Sequence, residues 1–163
     1  MFARALVVGL LALAPTLAFA YPAVGDKAEW SGFKHNWDGT ATPMKVTMTV
    51  TAWDDATKTW TVTKDVMVDT TTTTTTMMTK CLPTPESAAM ILAKCVEMGG
   101  RLESVTTPTG TYNTCAGFMG SPETKLMKTW MADVPFGMVK KWMSDATDSS
   151  TTTMELTAVT LGQ

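Results

Sequence analysis

The chain has 163 residues, of which 45% are hydrophobic and 17% charged, with a formal net charge of −2. That is enough apolar surface for a packed core, and it excludes a disordered polymer. With 13 Lys and Arg against 15 Asp and Glu and no basic run, the chain lacks the electrostatic footprint of a nucleic-acid-binding protein and has little attraction for anionic headgroups.

The first element is a targeting signal. Arg4 supplies the positive start, Ala5 to Ala14 is uninterruptedly apolar, Pro15 breaks the run, and Ala18 and Ala20 form a small-residue cleavage site before Tyr21. Residues 1–20 are therefore expected to be a cleaved signal peptide and 21–163 a single β-rich domain. The apolar run is too short to span a bilayer, and no later run is longer. No Cys stands at or just after the expected cut, so no lipoprotein attachment is expected there. Losing Arg4 leaves 12 Lys and Arg against 15 Asp and Glu, a net charge of −3. The expected location is the periplasm or the cell exterior.

Beyond the signal the dominant period is two. In Val46-Thr47-Met48-Thr49-Val50-Thr51-Ala52 apolar residues alternate with Thr, and Trp60, Val62, Val66 and Val68 share one parity against Thr59, Thr61 and Thr63. This is the pattern of half-buried antiparallel strands. It also accounts for most of the 32 Thr, a β-branched residue suited to pleated, half-exposed surface. Turn signals at Asp38-Gly39, Asp54-Asp55 and Pro108-Thr109-Gly110 separate the runs. Strands are predicted at 27–35, 44–53, 57–68, 71–79, 101–107, 111–119, 123–132, 136–143 and 151–161. The low-complexity run Thr70–Thr76 is read as an exposed edge strand, with a disordered loop as the alternative.

One segment departs from this pattern. Pro85-Glu86-Ser87 opens an apolar run that Gly99-Gly100 closes, and Ile91, Leu92, Cys95 and Met98 recur at helical spacing. A single helix is predicted at about 86–98. The expected fold is mainly β with one α-helix: a curved antiparallel meander sheet, a half-barrel, with the helix packed on it.

Three cysteines in an exported chain predict one disulfide and one free thiol. Cys95 lies on the apolar helix face and Cys115 on a following strand, which favours Cys95–Cys115; Cys81–Cys95 is the alternative. No C-x-x-C pair exists, so thioredoxin-like, zinc-ribbon and c-type haem chemistry are absent.

Catalytic patterns are weak. His35 is the only His, so any His-based triad must use it. Gly117-Phe118-Met119-Gly120-Ser121 only resembles a nucleophile elbow. Asp54-Asp55 reads as a turn rather than a glycosidase pair. Met44, Met48, Met77 and Met78, with the cysteines, are soft ligands suited to Cu(I), but neighbouring strand residues point to opposite faces, and Met as adaptable core filler is the better reading. Thr ladders for ice binding need a flat, strictly repeating surface, whereas sheets twist. Neither a catalytic residue, a metal site nor a cofactor is predicted. Large apolar side chains at Trp30, Trp60, Phe118, Trp130, Phe136 and Trp142 serve a core or line an apolar cleft. Of these, Trp60, Phe118, Trp130, Phe136 and Trp142 are the candidate ligand contacts.

The segment Arg101-Leu-Glu-Ser-Val-Thr-Thr-Pro-Thr-Gly-Thr-Tyr-Asn-Thr-Cys115 is followed by Thr129-Trp130, Asp133-Val-Pro-Phe-Gly-Met-Val-Lys140 and Thr153-Met-Glu-Leu156, and the expected mature chain opens with Tyr21-Pro-Ala-Val-Gly-Asp26. Together these resemble uncharacterised bacterial exported β-proteins that carry a Pro-Ala-Gly-Thr-Phe turn before a Cys-bearing strand. Thr109 and Tyr112 replace the commoner Ala and Phe. Such proteins are distantly similar to periplasmic lipoprotein-carrier-type domains. The resemblance implies a convex antiparallel sheet wrapped on a helix and an envelope or apolar-ligand role, and it carries over no functional residue.

The expected function is therefore that of an exported, non-enzymatic periplasmic or cell-envelope protein, with a lipid or other apolar molecule as its ligand. The alternatives are a structural or adhesive surface protein assembling through Thr-rich edge strands and, more weakly, copper handling through Met and Cys. Nucleic acid and a transmembrane span are not expected.

Overall fold

The computed structural model describes residues 21–162; the expected signal peptide lies outside the described residues. Its elements are β1 (Lys27–His35), β2 (Ala41–Asp54), β3 (Thr59–Val68), β4 (Thr71–Thr79), α1 (Pro85–Ala93), β5 (Arg101–Thr107), β6 (Gly110–Ser121), β7 (Lys125–Met131), β8 (Met138–Asp145) and β9 (Ser150–Thr160). The nine strands form one sheet in the order β4-β3-β2-β1-β9-β8-β7-β6-β5, with every neighbouring pair antiparallel. This is the expected curved sheet with one helix, and it is not closed into a barrel.

Two meanders make up the sheet. β1 to β4 run outward to one edge, β5 to β9 run inward from the other, and β1 and β9 zip the halves together. Short local turns produce the meanders; the β1–β9 join is the one long-range pairing. Because α1 lies in the connection between the two edge strands, the chain crosses from one side of the molecule to the other there. β2 starts earlier than predicted and includes Pro43. The Pro43 carbonyl accepts from Asp69 N–H on the side where β3 has just ended, so the missing Pro43 donor also faces that unpaired side.

The helix is shorter than the predicted 86–98. Thr84 caps it: its hydroxyl accepts from Ser87 N–H, and the Ser87 hydroxyl accepts from Thr84 N–H in return. Past Ala93 the chain continues as turns through Gly99, where φ is +78°. Cys95 is completely buried there and is joined to Cys115 of β6, as favoured; Cys81 is free and exposed.

Directly paired residues share a sheet face, and neighbours along a strand do not. One row runs Val46–Trp30–Leu156, across β2, β1 and β9. A second runs Ala116–Trp130–Lys140–Glu155–Ser31, across β6, β7, β8, β9 and β1. Glu155 and Leu156 are adjacent, so these rows lie on opposite faces. Trp30, Leu156, Ala116 and Trp130 are nevertheless all buried in one cluster with Ala28, Val105, Val134 and Val139. The core therefore changes face between the two halves. Two features allow this: bulges break the registers beside Trp30 and Trp130, and β5 curls back into contact with β8 and β9.

Candidate functional site

The face that buries Trp130 at one end of β7 stays open at the other. Cross-strand pairing there builds the row Phe118–Lys128–Trp142–Thr153–Phe33, one residue each from β6, β7, β8, β9 and β1. At ~4.8 Å per strand the row is about 19 Å long, and Phe118, Trp142 and Phe33 fall about 10 Å apart along it. Phe118 is 64% exposed and Phe33 51%, while Trp142 is half-buried against the core. A groove of about 460 Å³ lies at the Phe33 end, lined by Ser31, Gly32, Phe33, His35, Thr153 and Glu155. Gly32 keeps β1 close to β9, since a Cβ there would meet the Thr153 carbonyl at 1.8 Å.

A belt of paired charges borders the aromatic row. Lys128 Nζ lies 4.3 Å from the Trp130 ring centre and 5.6 Å from that of Phe118, and 3.2 Å from Glu103 Oε1. Trp130 Nε1 donates to Glu103 Oε2 at 2.7 Å. Lys140 pairs with Glu155 at 2.6 Å, and Glu29 accepts from both Lys27 and Lys45 at 2.5 Å. Every charge in the belt is in an ion pair, with four Lys shared among three Glu. What it leaves accessible is aromatic surface with its neighbouring polar groups already satisfied, a surface suited to an apolar molecule rather than to an ion.

The Trp130 indole donor, and then the Lys128 ammonium, hold the Glu103 carboxyl below the usual glutamate range. A lowered folded-state pKa contributes stability that is present above the ordinary value of about 4.3 and is lost as pH falls through the folded value. Trp130 fluorescence is accordingly expected to stay constant on acidification to about pH 4 and to change only below it. Glu103→Gln should flatten that transition. A transition unchanged in the variant would assign it to another carboxylate.

Of the five predicted contacts, Phe118, Trp130 and Trp142 are brought together. Trp60 is not: it sits on β3, tilted against Trp53 of β2 with ring centres 4.4 Å apart, on the far wing of the sheet. Phe136 is not either. Instead of starting β8 as predicted, it occupies the β7–β8 connection with φ +62°, edge-on to Trp30 at 6.3 Å. Pro135 and the Val134–Gly137 turn, closed by a 2.8 Å backbone bond, delay the strand until Met138. Phe33 was missed, although an aromatic on the parity opposite Ala28 and Trp30 is a signal that period two contains.

The other sequence features fall outside the row or on its rim. His35 is exposed and tilted against Phe33. Asp54 accepts from Thr57 and from the amide of Ala56, and Asp55 pairs with Lys58, as turn residues do. Met77 and Met78 face opposite sides of β4. Among the described residues no helix is long and apolar enough to cross a membrane.

No protein-family model matches the sequence, and no curated protein matches it. Several solved structures resemble the chain, among them these three. One is a protein assigned as exported, with a YmcC-like fold, from Bacteroides fragilis NCTC 9343: 10% identity over 87% of this chain and 99% of that one, TM-score 0.46. A second is a protein assigned as a lipoprotein from Parabacteroides distasonis ATCC 8503: 12% identity over 85% and 96%, TM-score 0.46. The third is MucB in complex with MucA(peri): 9% identity over 85% of this chain but 50% of that one, TM-score 0.45.

Proposed function

We propose that the protein is an exported, non-enzymatic binding protein that takes an apolar molecule, such as the acyl chain of a lipid, across the Phe118–Trp142–Phe33 row. The observation that carries this reading is the row itself: three aromatic rings aligned over five adjacent strands on one face, two of them largely in solvent although the same face packs a core a few residues away. Exposed apolar surface organised in this way marks a binding site more often than scattered single residues do. The belt of ion pairs keeps its charges paired along the border of the apolar strip. Within this reading Phe118, Trp142 and Phe33 supply contact area, and Lys128 and Trp130 fix the Phe118 end.

The test is purification from the cell envelope followed by native mass spectrometry and lipid extraction, with titration of a fluorescent fatty-acid probe. A bound lipid and saturable probe binding that quenches Trp fluorescence are expected. Phe118→Ala and Phe33→Ala should each weaken probe binding by about ten-fold without changing Tm, because both side chains are exposed. Trp53→Ala, off the row, should leave affinity unchanged. Protein that is free of lipid and does not bind the probe would overturn the reading, as would binding insensitive to both Phe substitutions.

A further inference from the structure

β4 is one edge of the sheet, and it has none of the devices that normally stop an edge from pairing. Its sequence, TTTTTTMMT, contains no charge and no proline. It pairs with β3 over its full length without a register shift, so no bulge twists it away. Thr71 to Met78 are all exposed. The other edge differs: β5 carries Arg101 and Glu103 and curls against β8 and β9. The sheet thus has one guarded edge and one open edge.

The flanks of β4 say what pairs with it. Asp69 precedes the strand and Lys80 follows it, and neither is in an ion pair among the described residues. A second β4 laid antiparallel with Thr75 on the axis sets Lys80 of each copy opposite Thr70 of the other, one residue from that copy's Asp69, at both ends of the ladder. Parallel pairing would set like charge beside like charge. Every existing pair in the sheet is antiparallel, so the addition continues its hydrogen-bond pattern.

We propose that two copies of the chain pair antiparallel through β4, about a two-fold axis near Thr75. Thr then faces Thr at the centre of the ladder, Met77 and Met78 face Thr towards its ends, and the two sheets become continuous. An isologous contact of this kind uses each β4 once and closes, and the guarded β5 edge cannot extend it, so the product is a dimer rather than a filament. The aromatic row lies on β6 to β9 and β1, away from this edge, and the proposal does not depend on it.

Sedimentation velocity and native mass spectrometry of the purified protein across a concentration series test this. A concentration-dependent dimer is expected. Thr75→Lys sets two ammonium groups opposite each other on the axis and should weaken the dimer by about ten-fold or more. Lys80→Glu sets carboxylates together at both ends and should weaken it by a similar factor; adding Asp69→Asn, which suits the positive φ at that position, should recover part of the loss. All three positions lie outside the core, so unchanged far-ultraviolet circular dichroism confirms that the variants fold. A monomer at every concentration overturns the proposal, as does an open-ended oligomer or a dimer indifferent to both Thr75→Lys and Lys80→Glu.

Discussion

Trp30→Ala is expected to cost about 4 kcal/mol of stability and to lower Tm by on the order of 10 °C. Trp30 is 1% exposed and sits at the centre of the Val46–Trp30–Leu156 row. Its ring meets Phe136 edge-on, and its Nε1 donates to the Met138 carbonyl at 2.8 Å. The substitution therefore empties a large volume, leaves a carbonyl without its donor and removes the ring that holds Phe136 in its left-handed conformation. These losses meet where the core changes sheet face, so neither half can collapse onto the gap. Trp30→Phe keeps most of the apolar volume but not the donor, and about 1–2 kcal/mol is expected for it. Denaturant midpoints for the two variants check both values. A Trp30→Ala cost below that of Trp30→Phe would place the core elsewhere.

The strands were legible because alternation is a local signal. From Met44 to Ala52 in β2 and from Thr59 to Thr63 in β3 each apolar position is separated from the next by a Thr or a Lys, and no longer-range information is needed to recognise a half-buried strand. The helix was legible from its ends, Pro85-Glu86-Ser87 and Gly99-Gly100, but not its early finish, because the turns after Ala93 are set by Cys95 reaching for Cys115. Cys115 was placed correctly for the same reason: a helix face and a nearby strand leave few ways to use two thiols. The β1–β9 join was not legible, since nothing local in Lys27–His35 names Ser150–Thr160 as its partner. The change of core face depends on that join and on two bulges, so it was hidden too. This is why the candidate contacts divided as they did. Phe118, Trp130 and Trp142 fall on one face through cross-strand register, whereas Trp60 has the same composition signal on a distant wing. Phe136 was lost to a turn conformation that a non-glycine residue seldom adopts.

Cys95→Ser/Cys115→Ser is expected to cost about 3 kcal/mol, the loop-closure value for a separation of 20 residues. Cys115 is paired with Leu102 and Met131, on the side of β6 opposite Ala116 and Trp130, so the bridge ties the helical segment to the outer side of the strand. The surrounding chain is built around it: a Cβ on Gly100 would lie 2.8 Å from both sulfur atoms, and Gly100 N–H donates to the Cys95 carbonyl at 2.8 Å. Without the bridge, the amides of α1 and the following turns should lose hydrogen-exchange protection first, while β1 and β9 keep theirs. Tm should fall by about 10 °C, and adding reductant to the native protein should reproduce the fall. Cys81→Ser should change neither, because Cys81 is free and exposed. The aromatic row offers a separate readout. Its Phe118, Trp142 and Phe33 are held by strand register, not by the helix, so the double variant should bind the fatty-acid probe as the native protein does at temperatures below its lowered Tm. Probe affinity that fell together with helix protection would instead make the tether part of the binding surface.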